Sequence, residues 1–208
     1  MIYSMAKRLC DLAGASLGLF LFSPLLIAIA IVIKLTSPGP VFYRGVRSGR
    51  HGKPFRIFKF RTMVEFAERL GGHSTARDDA RLTKVGPVLR KYKLDELPQL
   101  LNVLVGDMSL VGPRPQVEYY TALYQGEELE IMSVKPGITD YASMEFIDLD
   151  NILGNEDVDT KYKEQVEPVK NRLRLRYVRE ASLWVDFKIL VMTCVQLFRI
   201  RKKWNTET

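Results

Sequence analysis

The residues best suited to chemistry lie in one stretch, KLDELPQLLNVLVGDMSLVGPRP, which covers residues 93–115. Two adjacent acids, Asp95 and Glu96, stand before an apolar run that predicts a short helix over residues 98–105, ended by Gly106. The unpaired amides and the dipole at a helix N-terminus favour anions, including phosphate. The acid pair is therefore expected beside an anion-binding position.

A rigidly mounted arginine follows the acids. Pro113 and Pro115 flank Arg114 and restrict the backbone on both sides of it, and a guanidinium can bind a phosphate through two parallel hydrogen bonds. A carboxylate nucleophile, a second acid for a divalent cation and a fixed arginine would form a site for phosphoryl transfer. The same residues on their own are also typical of a solvated acidic pair and a stiff turn.

The net charge and the cysteine content indicate which partners and which cellular compartment suit the protein. The net charge is +7, from 31 Lys and Arg against 24 Asp and Glu, and it suits a membrane surface, an anionic lipid or a nucleic acid. Cys10 and Cys194 lie far apart in apolar surroundings, so a reducing compartment is expected. We assign no catalytic or ligand role to His51 or His73.

The N-terminal segment predicts attachment to a membrane. Residues 12–33 carry no charge and are numerous enough to cross a bilayer core of about 30 Å. Ser23-Pro24 in the middle predicts a break, with the serine hydroxyl re-satisfying backbone groups that the proline frees. Lys7 before the segment and Lys34 after it favour the same side of the membrane for both ends. A re-entrant hairpin within one leaflet is therefore predicted, with a plain spanning helix as the alternative.

The rest of the chain predicts a mixed α/β fold. Short strands are predicted over residues 41–46 and 54–61, a helix over 116–130, a strand and turn over 133–139, and a helix over 169–200. The two early strands alternate aromatic and basic residues, which is typical of single-stranded nucleic-acid binding, of a membrane-facing edge, or of solvated charge over a small core.

Two further groups of acids are candidates for chemistry. Asp148/Asp150 and Asp157/Asp159 form Asp-x-Asp triplets, which hold a metal in nucleotide-sugar glycosyltransferases but are also common in solvated acidic loops. Asp186 lies on an apolar helical face, where an unpaired charge is costly. It is expected either to pair with an arginine or to serve a metal.

The stretch LDELPQLLNVLVGDMSLVGPRP resembles the signature of the bacterial sugar transferases, the monotopic phosphoglycosyl transferases. These enzymes move a phosphosugar from a nucleoside diphosphate sugar to a polyprenyl phosphate and so begin glycan assembly. KPFRIFKFRTM and SLWVDFKIL resemble further segments of the family, so the resemblance extends over nearly the whole chain.

The resemblance implies two parts: a re-entrant membrane helix in residues 1–36 and a mixed α/β catalytic domain in residues 37–208, with interfacial amphipathic helices. It places the protein on the cytoplasmic face of the bacterial inner membrane, as a monotopic protein. The implied partners are a UDP-sugar, undecaprenyl phosphate and membrane lipid, but no nucleic acid. A homo-oligomer is compatible with it.

The resemblance also implies roles for individual residues. Asp95 would attack the β-phosphorus of the UDP-sugar and expel UMP, and Glu96 would hold Mg²⁺. The further catalytic or phosphate-binding residues that it implies are Lys59, Arg81, Arg90, Pro113, Arg114 and Asp186.

The sequence departs from the family's pattern in two places, and two alternative functions remain open. Lys93 replaces the small hydroxyl residue expected there, and residues 140–143 differ from the Gly-x-Ala-Gln type sequence of many relatives, which leaves the sugar open. One rival is a metal-dependent glycosyltransferase that releases UDP. The other is a basic, membrane-tethered binding module that would tolerate the loss of Asp95.

Overall fold

The protein begins with one long helix, α1, over Ile2–Thr36. In the computed structural model the described residues are 2–67, 79–146, 149 and 158–206. Within this part of the chain, only α1 is long and apolar enough to cross a membrane by length and composition. Most of its large side chains are exposed, among them Phe20 and Leu35.

Helix α1 continues through Pro24 without interruption, so the separate half-helices expected from the sequence are not observed as separate elements. Pro24 cannot donate a hydrogen bond to the carbonyl of Phe20. The hydroxyl of Ser23 donates to that carbonyl instead, at 2.8 Å. The expected compensation by Ser23 is therefore confirmed.

A two-part antiparallel hairpin follows α1. Strand β1 (Phe42–Tyr43) pairs with β4 (Lys59–Phe60), and β2 (Val46–Ser48) pairs with β3 (Pro54–Arg56). The two predicted strands are thus confirmed, each as two short segments.

The middle of the chain carries the elements around the acid pair. These are helix α2 (Gly86–Lys91), a 3₁₀ turn (Leu94–Glu96), helix α3 (Gln99–Val105), strand β5 (Ser109–Val111) and strand β6 (Gly137–Thr139), which is parallel to β5. Gly106 ends α3 with φ +96°, a conformation that glycine adopts without strain. The predicted helix and its stop are confirmed.

The C-terminal part is more divided than predicted. The elements are α4 (Glu118–Thr121), a 3₁₀ segment (Gly126–Ser133), α5 (Tyr141–Glu145), α6 (Val158–Lys161), a π turn (Tyr162–Val166), α7 (Glu167–Glu180) and α8 (Leu183–Thr206). The single helix predicted over 116–130 is wrong, and Gly126 there has φ +53°. The helix predicted over 169–200 is divided at Ala181, whose ψ of 118° is not helical.

The core connects α1 to the elements around the acid pair. Ala15 of α1 packs against Leu100 and Val103 of α3, and Ile33 packs against Phe60 of β4. Burying a large apolar side chain contributes about 1.5–3 kcal/mol. Both halves of α1 are therefore fixed to the part of the fold that holds the acid pair.

Candidate active site

The acid pair lies in the 3₁₀ turn Leu94–Glu96, directly before α3. Asp95 is only 1% exposed and Glu96 only 8% exposed. Lys93 begins the turn in the left-handed conformation, with φ +55°. Burial excludes the alternative that these acids are a solvated surface pair.

Two predicted residues meet the acids. The Nζ atom of Lys59 lies 2.8 Å from Oδ2 of Asp95 and 3.3 Å from Oε1 of Glu96. The guanidinium of Arg114 binds Glu96 through both of its terminal nitrogens, with Nη1 donating to Oε2 at 2.7 Å and Nη2 donating to Oε1. The fold therefore brings Lys59, Asp95, Glu96 and Arg114 into one cluster.

The charges of this cluster stabilise one another. Burial by itself raises the pKa of Glu96, but the positive charges of Arg114 and Lys59 outweigh it and hold that pKa well below its usual value. The charge of Glu96 in turn raises the pKa of Arg114. Glu96 is therefore a permanent anion at neutral pH.

Asp95 differs from its neighbour because neither of its carboxylate oxygens accepts a hydrogen bond from the described residues, although both are buried. The nearby ammonium of Lys59 supplies charge without hydrogen-bond geometry. The oxygens of a buried carboxylate usually accept hydrogen bonds. The oxygens of Asp95 accept none from the described residues, so they are available to bind another group. Asp95 can offer a lone pair to an electrophile or to a cation.

The acid pair also suits the predicted metal. Mg²⁺ takes oxygen ligands, keeps several waters and uses one or two carboxylates together with substrate phosphates. In the described part of the chain no group of three or more metal-ligating side chains forms a dedicated cage. The carboxylates of Asp95 and Glu96 fit a Mg²⁺ held in this sparse manner, although Arg114 occupies both oxygens of Glu96.

The position of Arg114 depends on a close approach of two backbones. Gly112 lies at the end of β5 so close to Gly137 of β6 that a Cβ atom on Gly137 would overlap the backbone of Gly112. The amide of Gly137 donates to the carbonyl of Pro113 at 3.0 Å. The amide of Arg114 donates to the fully buried carboxylate of Asp140 at 3.2 Å. Asp140 thus anchors Arg114, a role that was not predicted.

Lys59 is positioned by a second residue that was not predicted, Asn102. Its side-chain oxygen accepts from the amide of Phe58 at 2.7 Å, and its side-chain nitrogen donates to the carbonyl of Arg56 at 3.0 Å. Both contacts fix the hairpin on α3. The sequence signal for this role was the presence of a polar residue, Asn102, within the apolar run of α3.

Arg81 and Arg90 have a different setting. Arg81 pairs with Asp79, whose carboxylate accepts from its guanidinium at 2.6 to 3.1 Å. Hydrogen bonds from Arg81 are the main cause that lowers the pKa of Asp79, and the charge of Arg90 contributes. The phosphate-binding roles of Arg81 and Arg90 stay predictions.

Asp186 occupies another cluster, between α1 and α8. Lys7 donates to its Oδ2 at 2.8 Å, Tyr3 donates to the same oxygen at 3.2 Å, and Tyr177 donates to Oδ1 at 2.7 Å. The predicted need for a partner is confirmed, but the cation is Lys7 and not an arginine. These contacts satisfy both oxygens of the carboxylate, and the catalytic role implied for Asp186 stays a prediction.

The Asp-x-Asp triplets cannot be placed with the acid pair. Asp148, Asp150 and Asp157 lie outside the described residues, and the side chain of Asp159 is likewise outside them.

This geometry agrees with what the chain is similar to. The family model of the bacterial sugar transferases matches residues 2–200, so the chain belongs to that family. Its members are membrane-associated, and the apolar helix α1 is consistent with this.

Three individual relatives illustrate the similarity. The chain is 41% identical over 198 residues to the UDP-glucose:undecaprenyl-phosphate glucose-1-phosphate transferase of Escherichia coli (strain K12), covering 93% of this chain and 40% of the relative. It is 38% identical over 195 residues to the UDP-N-acetylgalactosamine-undecaprenyl-phosphate N-acetylgalactosaminephosphotransferase of Aeromonas hydrophila, covering 92% and 43%. It is 37% identical over 207 residues to the exopolysaccharide production protein ExoY of Rhizobium meliloti (strain 1021), covering 92% and 85%. The chain therefore spans about two-fifths of the length of the first two relatives.

Proposed function

We propose that this chain transfers a sugar 1-phosphate from a UDP-sugar to undecaprenyl phosphate and releases UMP. The observation that carries the proposal is the pairing of a buried, unsatisfied carboxylate, Asp95, with a bidentate ion pair between Glu96 and Arg114. The first provides a nucleophile, and the second provides fixed charge beside it. The names of the relatives support the donor and the acceptor.

The reaction then runs in two displacements at the β-phosphorus of the donor. An oxygen of Asp95 forms a bond to phosphorus while the bond to the oxygen bridging the two phosphates breaks, and UMP leaves with that oxygen. An oxygen of undecaprenyl phosphate then attacks the same phosphorus, frees the carboxylate of Asp95 and forms the lipid diphosphate sugar. Splitting one difficult step into two is the advantage of covalent catalysis.

The other charged side chains hold the phosphate groups in place. Lys59 contacts both acids and Arg114 contacts Glu96, so both side chains present cations to the developing negative charge. A Mg²⁺ held chiefly through Glu96 and water would neutralise phosphate charge in the same place. Because Arg114 now binds Glu96, donor binding is expected to draw the guanidinium onto phosphate.

The acceptor lipid requires the site to lie at a membrane. We propose that α1 bends at Pro24 and enters and leaves the cytoplasmic leaflet of the inner membrane as a re-entrant hairpin. The proline inside the helix, the freed carbonyl bonded by Ser23, and the exposed apolar side chains of α1 support this placement. Exposed Trp184 and Phe187 on α8 support an interfacial position for that helix.

The central test uses the full chain in detergent or lipid nanodiscs with Mg²⁺ and a panel of UDP-sugars. The panel begins with UDP-glucose and UDP-N-acetylgalactosamine, the donors in the names of two relatives. Without lipid acceptor, the correct donor should release about one UMP per active site and leave a phosphosugar on Asp95. Release of UDP would instead establish a glycosyltransferase, and an adduct mapped to Glu96 would reverse the roles of the two acids.

The membrane topology has its own test. Cysteines introduced singly at Tyr3 and Ser48, in a background without Cys10 and Cys194, are probed on intact cells with an impermeant thiol reagent. A hairpin leaves both positions unlabelled until the cells are permeabilised. Labelling of the Tyr3→Cys chain alone would establish a spanning helix.

A further inference from the structure

Helix α3 carries two buried side-chain amides, and the fold uses them differently. Asn102 accepts from the amide of Phe58 and donates to the carbonyl of Arg56. Gln99, the first residue of α3, is only 1% exposed, yet neither its amide oxygen nor its amide nitrogen has a hydrogen-bond partner among the described residues. Burying a polar group without a partner is costly for the folded state. Contacts within the fold therefore account for Asn102 but not for Gln99.

The backbone places Gln99 beside both acids. The 3₁₀ turn of the acid pair continues into α3 through Leu97 and Pro98, which both have right-handed helical dihedral angles. Gln99 follows Asp95 by four residues and Glu96 by three. Residues three and four apart on a helical backbone are neighbours on its surface, with Cβ atoms about 5–6 Å apart. The side chain of Gln99 therefore begins on the same face as the two carboxylates.

Of the two acids, Asp95 is the one that needs a hydrogen-bond donor. Both oxygens of Glu96 accept from Arg114. Both oxygens of Asp95 are buried and accept no hydrogen bond from the described residues. The amide nitrogen of Gln99 has two hydrogens, and it donates neither of them to a described residue. A buried donor without an acceptor and a buried acceptor without a donor thus lie on one face of the same helical turn, where a side-chain rotation can join them.

We propose that Gln99 is a positioning residue, whose amide donates to one oxygen of Asp95 and directs the other oxygen at the β-phosphorus of the UDP-sugar. The inference rests on the proposed function and deepens it. Lys59 lies 2.8 Å from Oδ2 of Asp95 in this structure, and the phosphates draw its ammonium away as the UDP-sugar binds. The hydrogen bond from Gln99 then holds the carboxylate. A neutral amide orients the nucleophile without cancelling its charge, and Gln99 keeps both of its hydrogens throughout.

The test separates the rate of attack from substrate binding, using the full chain in nanodiscs with Mg²⁺ and without undecaprenyl phosphate. Gln99→Met removes the amide and keeps a side chain of similar length. We expect the rate constant of the UMP burst to fall by about ten- to a hundredfold, as loss of a hydrogen bond to a charged group does. The affinity for UDP, measured by titration calorimetry, should stay within about twofold, because the lost contact is made to Asp95 and not to the nucleotide. Gln125→Met is the matched control, because Gln125 is exposed and its side chain forms no cap, and it should change neither quantity.

Thermal unfolding without nucleotide tests a purely structural role. Gln99→Met should be at least as stable as the unaltered chain, because a buried amide without a partner has been removed. A clear loss of stability with an unchanged burst rate constant would assign Gln99 to the fold and overturn the inference.

A second variant covers the case in which Gln99→Met does not fold. Gln99→Asn keeps the amide but withdraws it by one methylene group, so the burst should again be slow while UDP affinity is kept. The burst amplitude counts the active molecules, so the rate constant does not depend on how much of the chain has folded. A normal rate constant in Gln99→Asn would overturn the inference.

The same measurements distinguish failure of this inference from failure of the proposed function. If Gln99→Met weakens UDP binding and raises the concentration of UDP-sugar needed for the burst, Gln99 contacts the substrate and the positioning role is wrong. If the unaltered chain and Gln99→Met give equal bursts, the inference alone is refuted. If the unaltered chain gives no UMP burst with any UDP-sugar of the panel, the proposed function is refuted and the inference falls with it.

Discussion

Asp95 and Asp186 are alike in burial and in their contact with a lysine, but their carboxylate oxygens differ in hydrogen bonding. Both are buried, at 1% and 7% exposure, and each has a lysine nitrogen 2.8 Å from Oδ2. Asp186 accepts hydrogen bonds on both oxygens from Lys7 and two tyrosines. Asp95 accepts none from the described residues. Hydrogen-bond satisfaction, more than burial or an ion pair, therefore distinguishes the two carboxylates, and we expect Asp95 to be the reactive one.

The largest difference is expected from the same substitution at the two positions. Asp95→Asn should lower turnover by about 10⁴-fold or more and abolish the UMP burst, because an amide is a poor nucleophile and losing the nucleophile removes the whole covalent path. The measurement is UMP release by rapid chromatography, with and without undecaprenyl phosphate. A normal UMP burst in the Asp95→Asn chain would show that Asp95 is not the nucleophile.

Arg114 tests the charge beside the nucleophile. Arg114→Ala should lower turnover by about 10²–10³-fold, the usual loss for a preorganised charge-stabilising donor. Arg176→Ala is the matched control, since Arg176 is exposed and pairs with Glu180 on the surface. Steady-state kinetics would measure both variants. Equal turnover of the Arg114→Ala and Arg176→Ala chains would show that Arg114 serves only as a residue of a rigid turn.

Asp186→Asn should affect stability more than chemistry. The loss of the charged partner of Lys7 should lower the free energy of unfolding by about 2 kcal/mol, a value typical of a charged hydrogen bond. The UMP burst per folded molecule should stay within about tenfold of the unaltered chain. Chemical denaturation and active-site titration measure the two quantities separately. An Asp186→Asn chain that keeps its stability but shows no UMP burst would indicate a catalytic role for Asp186.

Lys170 extends the comparison to a buried cation. Its pKa is lowered to about 7, from 10.5 in the ordinary side chain, so between these values the unfolded chain binds more protons than the folded chain. Stability should therefore rise with pH across this window. The charges of Arg174 and Arg114 lower this pKa and those of Glu167 and Asp140 raise it, while the rings of Tyr162 and Phe146 lie 4.9 and 5.3 Å from the ammonium.

We expect the unaltered chain to gain about 1.4 kcal/mol or more relative to Lys170→Met between pH 7 and pH 10, since one pKa unit corresponds to that amount. Parallel unfolding curves at the two pH values provide the measurement, and the variant cancels the titration of other groups. An unchanged difference would show that the ammonium of Lys170 is solvated in the folded chain.

Much of the local structure could be predicted because its causes are local. Gly106 ends α3 as expected, and the Ser23 hydroxyl compensates Pro24 within one helical turn. The acid pair and Arg114 were recognisable from an unbroken motif. The predictions that were wrong concern continuity: the helix over 116–130 was interrupted, and the helix over 169–200 was divided at Ala181, where apolar periodicity gives no clear signal of a bend.

By itself the sequence determined the family motif, the short helices and strands, and the residue types of the site. Only the tertiary structure decided which charges meet. Asn102 contacts an amide 44 residues away, and Asp186 contacts Lys7 across 179 residues. Such pairs are decided by the packing of whole elements, which no local propensity encodes. The carboxylate oxygens of Asp95, which accept no hydrogen bond from the described residues, are a consequence of that packing, because the surrounding fold brings charge but no suitably directed donor to them.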